Sequence, residues 1–275
     1  MMRSSLELLP LGVSKLEVTG YKSGEIQARH EFVAQEVPIA LVFNGISHAV
    51  MMASPSDLED FALGFGLTEG LLESQQELFG FEQREVQDGI ELHLDVSSAC
   101  EWRLKERRRN LAGRTGCGLC GTDSLSQIRR ILVPVGSTAV SVEAVIKAEK
   151  DLHHWQHIQQ LTGATHAAAW VDKTGVILRL KEDIGRHNAL DKLIGDLVHH
   201  QVNPSSGFLC ITSRASFEMV QKAVVFGAGL LAAVSAPTAF AVEIAKAHNL
   251  ALAGYVRSGA LVAYSFPERF NLASV

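Results

Sequence analysis

Cysteine is scarce in this chain. Only Cys100, Cys117, Cys120 and Cys210 occur in 275 residues, too few for the disulfide frameworks that staple small secreted domains. The first ten residues carry one basic residue, Arg3, and no apolar run of the kind a secretory leader needs. A reducing cytoplasm is the expected compartment. Excess positive charge is also lacking: 25 Lys and Arg stand against 30 Asp and Glu, a formal net charge of −5, which argues against a general nucleic-acid binder. Nor is there an unbroken membrane-length apolar segment. Residues 223–242 lack charge for roughly the length of a bilayer span, but Gly227, Gly229, Ser235 and Pro237 interrupt them, so they read as buried soluble core with no membrane role. With 47% hydrophobic and 20% charged residues, the chain is globular, with length for one large domain or two closely joined.

What the chain does have is a thiol pair in a glycine-rich setting. Cys117 and Cys120 lie three positions apart among Gly113, Gly116, Gly118 and Gly121, and glycine opens backbone conformations closed to other residues. An exposed, mobile loop is expected. Lys105, Arg107, Arg108 and Arg109 precede it, with Arg114 closer still. That run reads equally as a solvated helix face or as fixed positive charge favouring the thiolate, the nucleophilic form of cysteine.

The first twenty or so residues show little periodicity. The expected division is a loose arm over residues 1–35, an α+β region over 36–135 ending in the thiol loop, and an α/β ligand-binding core over 136–275. Residues 37–53 read as a hairpin around Asn44-Gly45, a pair favoured in tight type I′ turns. A helix should follow, with Ser54 as N-cap and Pro55 in its first turn. Asp88-Gly89 marks a second hairpin, and residues 101–111 a basic helix. One helix is expected over 142–161, its His153, His154 and His157 on the surface. Beyond it, strands and helices alternate to the C-terminus, which implies a mixed or parallel sheet covered by helices, the α/β class.

That order has a functional consequence. Ligands of open α/β sheets gather beyond the carboxyl ends of the strands. Those ends carry Thr212-Ser213-Arg214, Ser235-Ala236-Pro237 and Arg257-Ser258-Gly259. The first two lead into helix N-termini, whose free N–H groups and dipole attract anions. Hydroxyls, two arginines and helix starts on one rim suit a phosphate-bearing ligand, although Ser213 and Ser235 alone would read as turn residues. In the run from Asp183 through Gly185, Arg186, His187 and Asn188 to Asp191 and Lys192, Asp183, Arg186 and His187 have the chemistry to orient a ligand or move a proton. On spacing alone, a capped amphipathic helix with an ordinary salt bridge explains the same pattern.

Four chemistries fit a Cys-x-x-Cys pair. Structural zinc takes four ligands, and Cys100 and Cys210 have no partner at metal spacing, so no metal site is expected within one chain; a site bridging two copies would serve structure. A zinc deaminase needs His-x-Glu upstream and Pro-Cys-x-x-Cys, but Gly116 stands in place of the proline and only His93-Leu94-Asp95 imitates the first element. A thioredoxin-like pair opens a helix directly after a strand, unlike the basic helix and glycine loop here. Sulfur carriage as a persulfide requires a nucleophilic cysteine, a neighbour to resolve or protect it, and an acceptor pocket. The chain offers all three.

With those residues in view, the chain resembles the formate dehydrogenase accessory sulfurtransferases from about residue 36 to its end. The resemblance is carried by Val42-Phe43-Asn44-Gly45-Ile46-Ser47-His48, the basic run, Arg114-Thr115-Gly116-Cys117-Gly118-Leu119-Cys120-Gly121, Thr165-His166-Ala167-Ala168, Gly185-Arg186-His187-Asn188-Ala189-Leu190-Asp191-Lys192, Ser213-Arg214-Ala215-Ser216-Phe217-Glu218-Met219 and Ser235-Ala236-Pro237-Thr238. It implies a cytidine-deaminase-like fold and a sulfurtransferase that moves sulfur from a cysteine desulfurase to the molybdenum cofactor with two pterin guanine dinucleotides. The cofactor then passes to formate dehydrogenase. Cys117 matches the persulfide-carrying cysteine and Cys120 its partner. Tyr255, Val256, Arg257, Ser258, Gly259 and Ala260 match the cofactor-binding stretch, which joins Ser213 and Arg214 on the rim; a guanine nucleotide should mimic the ligand. Relatives carry further basic character where Ser258 and Ala260 stand, which leaves Arg257 as the phosphate contact there. The resemblance also implies a homodimer. A cofactor-binding chaperone that moves no sulfur is the alternative.

Overall fold

The structure, a computed structural model, describes residues 9–111 and 132–272, without the side chains of 107–111. Cys117, Cys120 and Arg114 lie outside the described residues, as do the side chains of Arg107, Arg108 and Arg109.

Residues expected to form a loose arm are instead largely a β-ribbon. Strands β1 (Val13–Lys22) and β2 (Glu25–Ala34) pair antiparallel along their whole length, from Val13 opposite Ala34 to Lys22 opposite Glu25. Alternating polar and apolar residues are not enriched on one face, so periodicity gave no signal for it.

The second sheet has the order β4-β3-β6-β5. Strands β3 (Val37–Phe43) and β4 (Ile46–Ala53) form the first expected hairpin. Asn44 and Gly45 both take positive φ, 45° and 76°, as a tight hairpin turn with the strands' twist demands. Strands β5 (Leu78–Val86) and β6 (Gly89–Val96) form the second, and β6 runs parallel to β3. Helices α1 (Leu58–Thr68) and α2 (Ser98–Leu111) cover this sheet through Leu58, Phe61, Phe65, Cys100 and Leu104.

The expected cap of α1 is corrected. The helix begins three residues after Pro55, behind Asp57 in the left-handed region. Ser54 is fully buried and serves a longer-range purpose described below.

The third sheet has six strands in the order β12-β11-β10-β9-β7-β8. They are β7 (His166–Asp172), β8 (Ile177–Asp183), β9 (Gly207–Ile211), β10 (Leu230–Ala233), β11 (Ala251–Arg257) and β12 (Ala260–Ser265). Strands β9, β10 and β11 are parallel, while β7 and β12 run against their neighbours. The sheet is therefore mixed. Its central strands β9 and β10 are buried at every residue, which is why they read as continuous apolar runs.

Helices α5 (Arg186–His199), α6 (Phe217–Phe226) and α7 (Ala239–Ala247) cover one face, around Trp170, Leu193, Ile211 and Met219. Helices α3 (Val142–Trp155) and α4 (His157–Thr162) belong to the other, which buries Val145, Leu152, Val171 and Cys210. The single helix expected over 142–161 is thus two. The carboxylate of Glu182 accepts the backbone N–H groups of Ile158 at 2.9 Å and Gln159 at 2.8 Å, capping a new helix start from a distant strand.

The two larger sheets are joined where α1 lies against α5. Gly64 and Gly195 make this approach possible. A Cβ on Gly64 would fall 1.8 Å from the Asp191 carbonyl oxygen, and one on Gly195 would fall 1.9 Å from that of Asp60. Two buried ion pairs complete the junction. Lys192 Nζ lies 2.7 Å from Asp183 Oδ2 and donates to the Ser54 carbonyl at 3.0 Å. Asp183 also accepts from the backbone N–H of Ser54 at 3.0 Å and from Asn188 Nδ2 at 3.0 Å. Lys222 Nζ reaches Asp191 at 2.9 Å, Thr68 Oγ1 at 2.8 Å and Glu69 at 2.9 Å. Those carboxylates raise the Lys222 pKa against the opposing effect of burial.

Candidate functional site

Strands β8, β9, β10 and β11 all end on one rim, where β7 and β12 begin. Adjacent strands lie about 4.8 Å apart, so the rim from β11 to β8 extends roughly 19 Å. This is the edge at which a mixed α/β sheet presents helix N-termini and loop backbone.

Its centre is two connected loops. The backbone N–H of Ala215 donates to the Ala236 carbonyl at 3.2 Å, and that of Thr238 returns to the Ala215 carbonyl at 3.1 Å. These bonds fix the starts of α6 and α7 side by side. Thr238 caps α7, accepting from the Ala241 N–H at 3.3 Å. Ser216 precedes α6 but makes no capping bond; its hydroxyl donates to Glu218 at 3.2 Å. Ser213 is buried, and its hydroxyl donates to the Arg214 carbonyl at 3.1 Å. Arg214 is exposed beside it.

The β11 end holds the remaining candidates. The backbone N–H of Tyr255 donates to the Ser235 carbonyl at 3.2 Å, tying this stretch to the β10 loop. Tyr255 takes a positive φ of 52°, an uncommon conformation for an aromatic residue, and its half-exposed ring lies 5.4 Å from the Arg257 guanidinium carbon. That stacking restricts the guanidinium without using its N–H donors. Ser258 and Gly259 form the turn, at φ 53° and 78°, between the paired Arg257 and Ala260. Val256 is fully buried among the residues of the α3 face. Its contribution to any ligand is backbone.

The β8 end gathers groups that spacing did not resolve. Asn188, Asp191 and Lys192 turn inward to the buried network, whereas Arg186 and His187 belong to the rim. His187 Nε2 lies 3.0 Å from Glu218 Oε2. The hydrogen bond to His187 is the main reason that Glu218 has a lowered pKa, and burial opposes it. His166, at the start of β7 opposite Asp183, is held below the ordinary histidine pKa by burial first, then by Arg186 and His187. Thr212 Oγ1 accepts from the backbone N–H of Ala167 at 2.9 Å, securing β7 to the β9 loop.

On the α3–α4 side, His166, Thr165, Thr212 and Val234 open onto a cavity of about 570 Å³ whose far wall includes Glu149, His153, Gln156 and Gln159. Burial raises the Glu149 pKa. Sequence reading did not single out Glu149 or Glu218, because each is one carboxylate in an ordinary helix pattern. A second cavity, of about 560 Å³, carries Glu36, Asp57 and Glu85. Its acidic wall opposes a phosphate-bearing ligand.

Helix α2, which precedes the thiols in the chain, is anchored by charge. Arg103 pairs with Glu77 and donates to the Leu71 carbonyl at 3.1 Å and 3.2 Å. Glu77 also accepts from Ser97 Oγ at 2.8 Å and the Glu73 N–H at 2.7 Å. The Arg103 bond is the largest influence lowering the Glu77 pKa from 4.5 to about 2. A carboxylate with a depressed folded pKa stabilises fully above its unfolded value and loses that effect as pH falls through the folded one. The expected result is that Glu77→Gln lowers stability at neutral pH and flattens the acid limb between pH 4.5 and about 2, measured by urea unfolding across that range.

Cys210 is fully buried, and burial pushes its thiol pKa up to about 12. Cys100 is buried in the other core. Neither is placed for nucleophilic work, which requires an accessible thiolate.

Comparison with known proteins agrees with this architecture. The chain is 51% identical over 269 residues to the sulfur carrier protein FdhD of Variovorax paradoxus, covering 98% of this chain and 97% of the relative. It is 52% identical over 259 residues to the sulfur carrier protein FdhD of Cupriavidus necator, covering 94% and 90% respectively. The fold matches the crystal structure of a protein from Desulfotalea psychrophila described as a formate dehydrogenase accessory protein, with a TM-score of 0.72, 21% identity, and coverage of 94% of this chain and 99% of the other. Residues 34–271 match the FdhD/NarQ family. The chain belongs to the FdhD/NarQ family.

Proposed function

We propose that the protein is a cytoplasmic, homodimeric sulfurtransferase in which Cys117 carries persulfide sulfur from a cysteine desulfurase to the molybdenum cofactor with two pterin guanine dinucleotides. The sulfurated cofactor then serves formate dehydrogenase. The observation that carries this reading is the identity of about half, along nearly the whole chain, to proteins that are sulfur carriers by name. In the loading step, the Cys117 thiolate attacks the terminal sulfur of the donor's persulfide. One S–S bond breaks, another forms, and the donor leaves as a thiolate. The basic residues Arg107, Arg108, Arg109 and Arg114 favour the anionic sulfur, and Cys120 resolves or protects it.

The cofactor is the substrate and lies along the rim. The N-termini of α6 and α7, Ser213, Arg214 and the stretch from Tyr255 through Val256, Arg257, Ser258 and Gly259 to Ala260 receive its phosphate-bearing arms. Arg257 is prepared for that contact by its stacking on Tyr255. In cells lacking the chromosomal copy, Cys117→Ala is expected to abolish formate dehydrogenase activity while the purified variant binds GDP as the wild type does. Normal formate dehydrogenase maturation with that variant would favour a chaperone that binds cofactor without moving sulfur.

A further inference from the structure

The cavity on the α3–α4 side of the rim holds polar groups that the fold leaves unanswered. Gln156 lines it at 7% exposure, and its side-chain amide makes no hydrogen bond among the described residues. Burying an amide without a partner costs about 1–3 kcal/mol, and native structures keep few such groups without a use. Gln159 on the same wall is half answered. Its Oε1 accepts from the Thr165 N–H at 2.8 Å and the Thr165 hydroxyl at 3.4 Å, which fixes the amide and leaves its N–H donors over. Glu149 faces the same space, and its carboxylate accepts no hydrogen bond among the described residues. Burial raises its pKa against the weaker influence of Lys150. Leu152 and Val234 give the cavity apolar wall, and His166 gives it a flat ring.

This set selects a class of ligand. The carboxylate repels phosphate and accepts N–H groups, the amides donate to a ring carbonyl, and the apolar wall suits a flat heterocycle. A 2-amino-4-oxopyrimidine ring, common to guanine and pterin, presents adjacent N–H groups beside a carbonyl. The volume of about 570 Å³ is in the range of small-molecule sites. Position narrows the choice further. Thr212 and Val234 line the cavity, directly follow β9 and β10, and directly precede Ser213 and Ser235 on the rim. We propose that the cavity is the heterocycle pocket of the substrate. Glu149 accepts the N–H groups of a 2-amino-4-oxopyrimidine edge, Gln156 and Gln159 answer its carbonyl, and the attached phosphates cross the ends of β9 and β10 to the loops before α6 and α7. The inference rests on the reading of the rim as the place of a phosphate-bearing substrate, and deepens it by naming what recognises the ring.

The test is calorimetric titration of the full chain, as wild type, Glu149→Gln and Gln156→Leu. The ligands are GDP, IDP (which lacks the 2-amino group), 6-hydroxymethylpterin and inorganic pyrophosphate. Wild type should bind GDP about ten- to a hundred-fold more tightly than IDP, the discrimination expected of an N–H group given to a half-buried carboxylate. Glu149→Gln should bring GDP down to the level of IDP and leave pyrophosphate unchanged. Gln156→Leu should weaken GDP several-fold. Without ligand it should melt at the wild-type temperature or above, because it removes an amide that nothing satisfies. Loss of the GDP preference in Glu149→Gln gives the pocket to the guanine end, and loss of 6-hydroxymethylpterin binding gives it to the pterin end; either supports the proposal. If neither is lost, the pocket is overturned, and pyrophosphate binding by wild type leaves the rim reading standing. No binding of any of the four by wild type overturns the rim reading and the pocket together. Sulfur loading on Cys117 is measured without nucleotide, so the carrier role stands or falls separately.

Discussion

Lys192→Met is expected to be among the most destabilising single changes in this protein, at about 3–5 kcal/mol. Lys192 and Asp183 are both fully buried, with their charges 2.7 Å apart. Removing the ammonium strands a carboxylate that water cannot reach, and the cost of an uncompensated buried charge exceeds the packing that methionine restores. The ammonium also holds the Ser54 carbonyl at 3.0 Å, so the strand leading into α1 loses a tie to the six-stranded sheet. For a chain of this size the melting temperature should fall on the order of 10 °C. Adding Asp183→Asn should recover part of the loss. An amide removes the stranded charge but offers one acceptor oxygen where Ser54, Gly185 and Asn188 all donate. A loss under about 1 kcal/mol for Lys192→Met would mean that Asp183 is not held as a buried anion.

Gly195→Ala is the second large effect, and here the sign is diagnostic. In an exposed helix, alanine in place of glycine stabilises by about 0.5–1 kcal/mol. At Gly195 the new Cβ would lie 1.9 Å from the Asp60 carbonyl oxygen and 2.6 Å from its carbon. Both atoms are backbone, so α1 and α5 must separate. Overpacking of this kind costs about 1–3 kcal/mol and occasionally more, which outweighs the propensity gain. Gly64→Ala presses on the same seam from the other side, against Asp191. Separation also lengthens the 2.6 Å bond from Thr68 to Asp191 and the 2.8 Å contact of His199 with Asp60. Chemical denaturation measures the effect; an alanine variant as stable as wild type would show that the helices do not approach so closely.

Much of this framework was legible in the sequence because it depends on local chemistry. Asn44-Gly45 and Asp88-Gly89 marked hairpins because few residue pairs accept the required backbone turn. Apolar runs such as Phe208-Leu209-Cys210-Ile211 marked buried central strands. The rim followed from strand order alone, and it brings Ser213, Arg214 and Arg257 to one edge of the sheet. Long-range effects were not legible. Ser54 looks like a cap until Asp183 and Lys192 arrive from 129 and 138 positions away in the chain. The division of α3 from α4 comes from Glu182, a carboxylate on β8. The run from Gly185 to Lys192 faces two ways at helical spacing, with Asn188, Asp191 and Lys192 in the buried ion-pair network and His187 beside Glu218 at the rim. Only the fold around it separates Asn188, Asp191 and Lys192 from Arg186 and His187.

The central claim, that Cys117 carries sulfur, is tested most directly by intact-protein mass spectrometry after incubation with a cysteine desulfurase and cysteine. The wild type is predicted to gain one sulfur atom that a reductant removes, and Cys117→Ala to gain none. An equal gain in Cys117→Ala, or no gain in the wild type under conditions that load a control acceptor, would contradict the account.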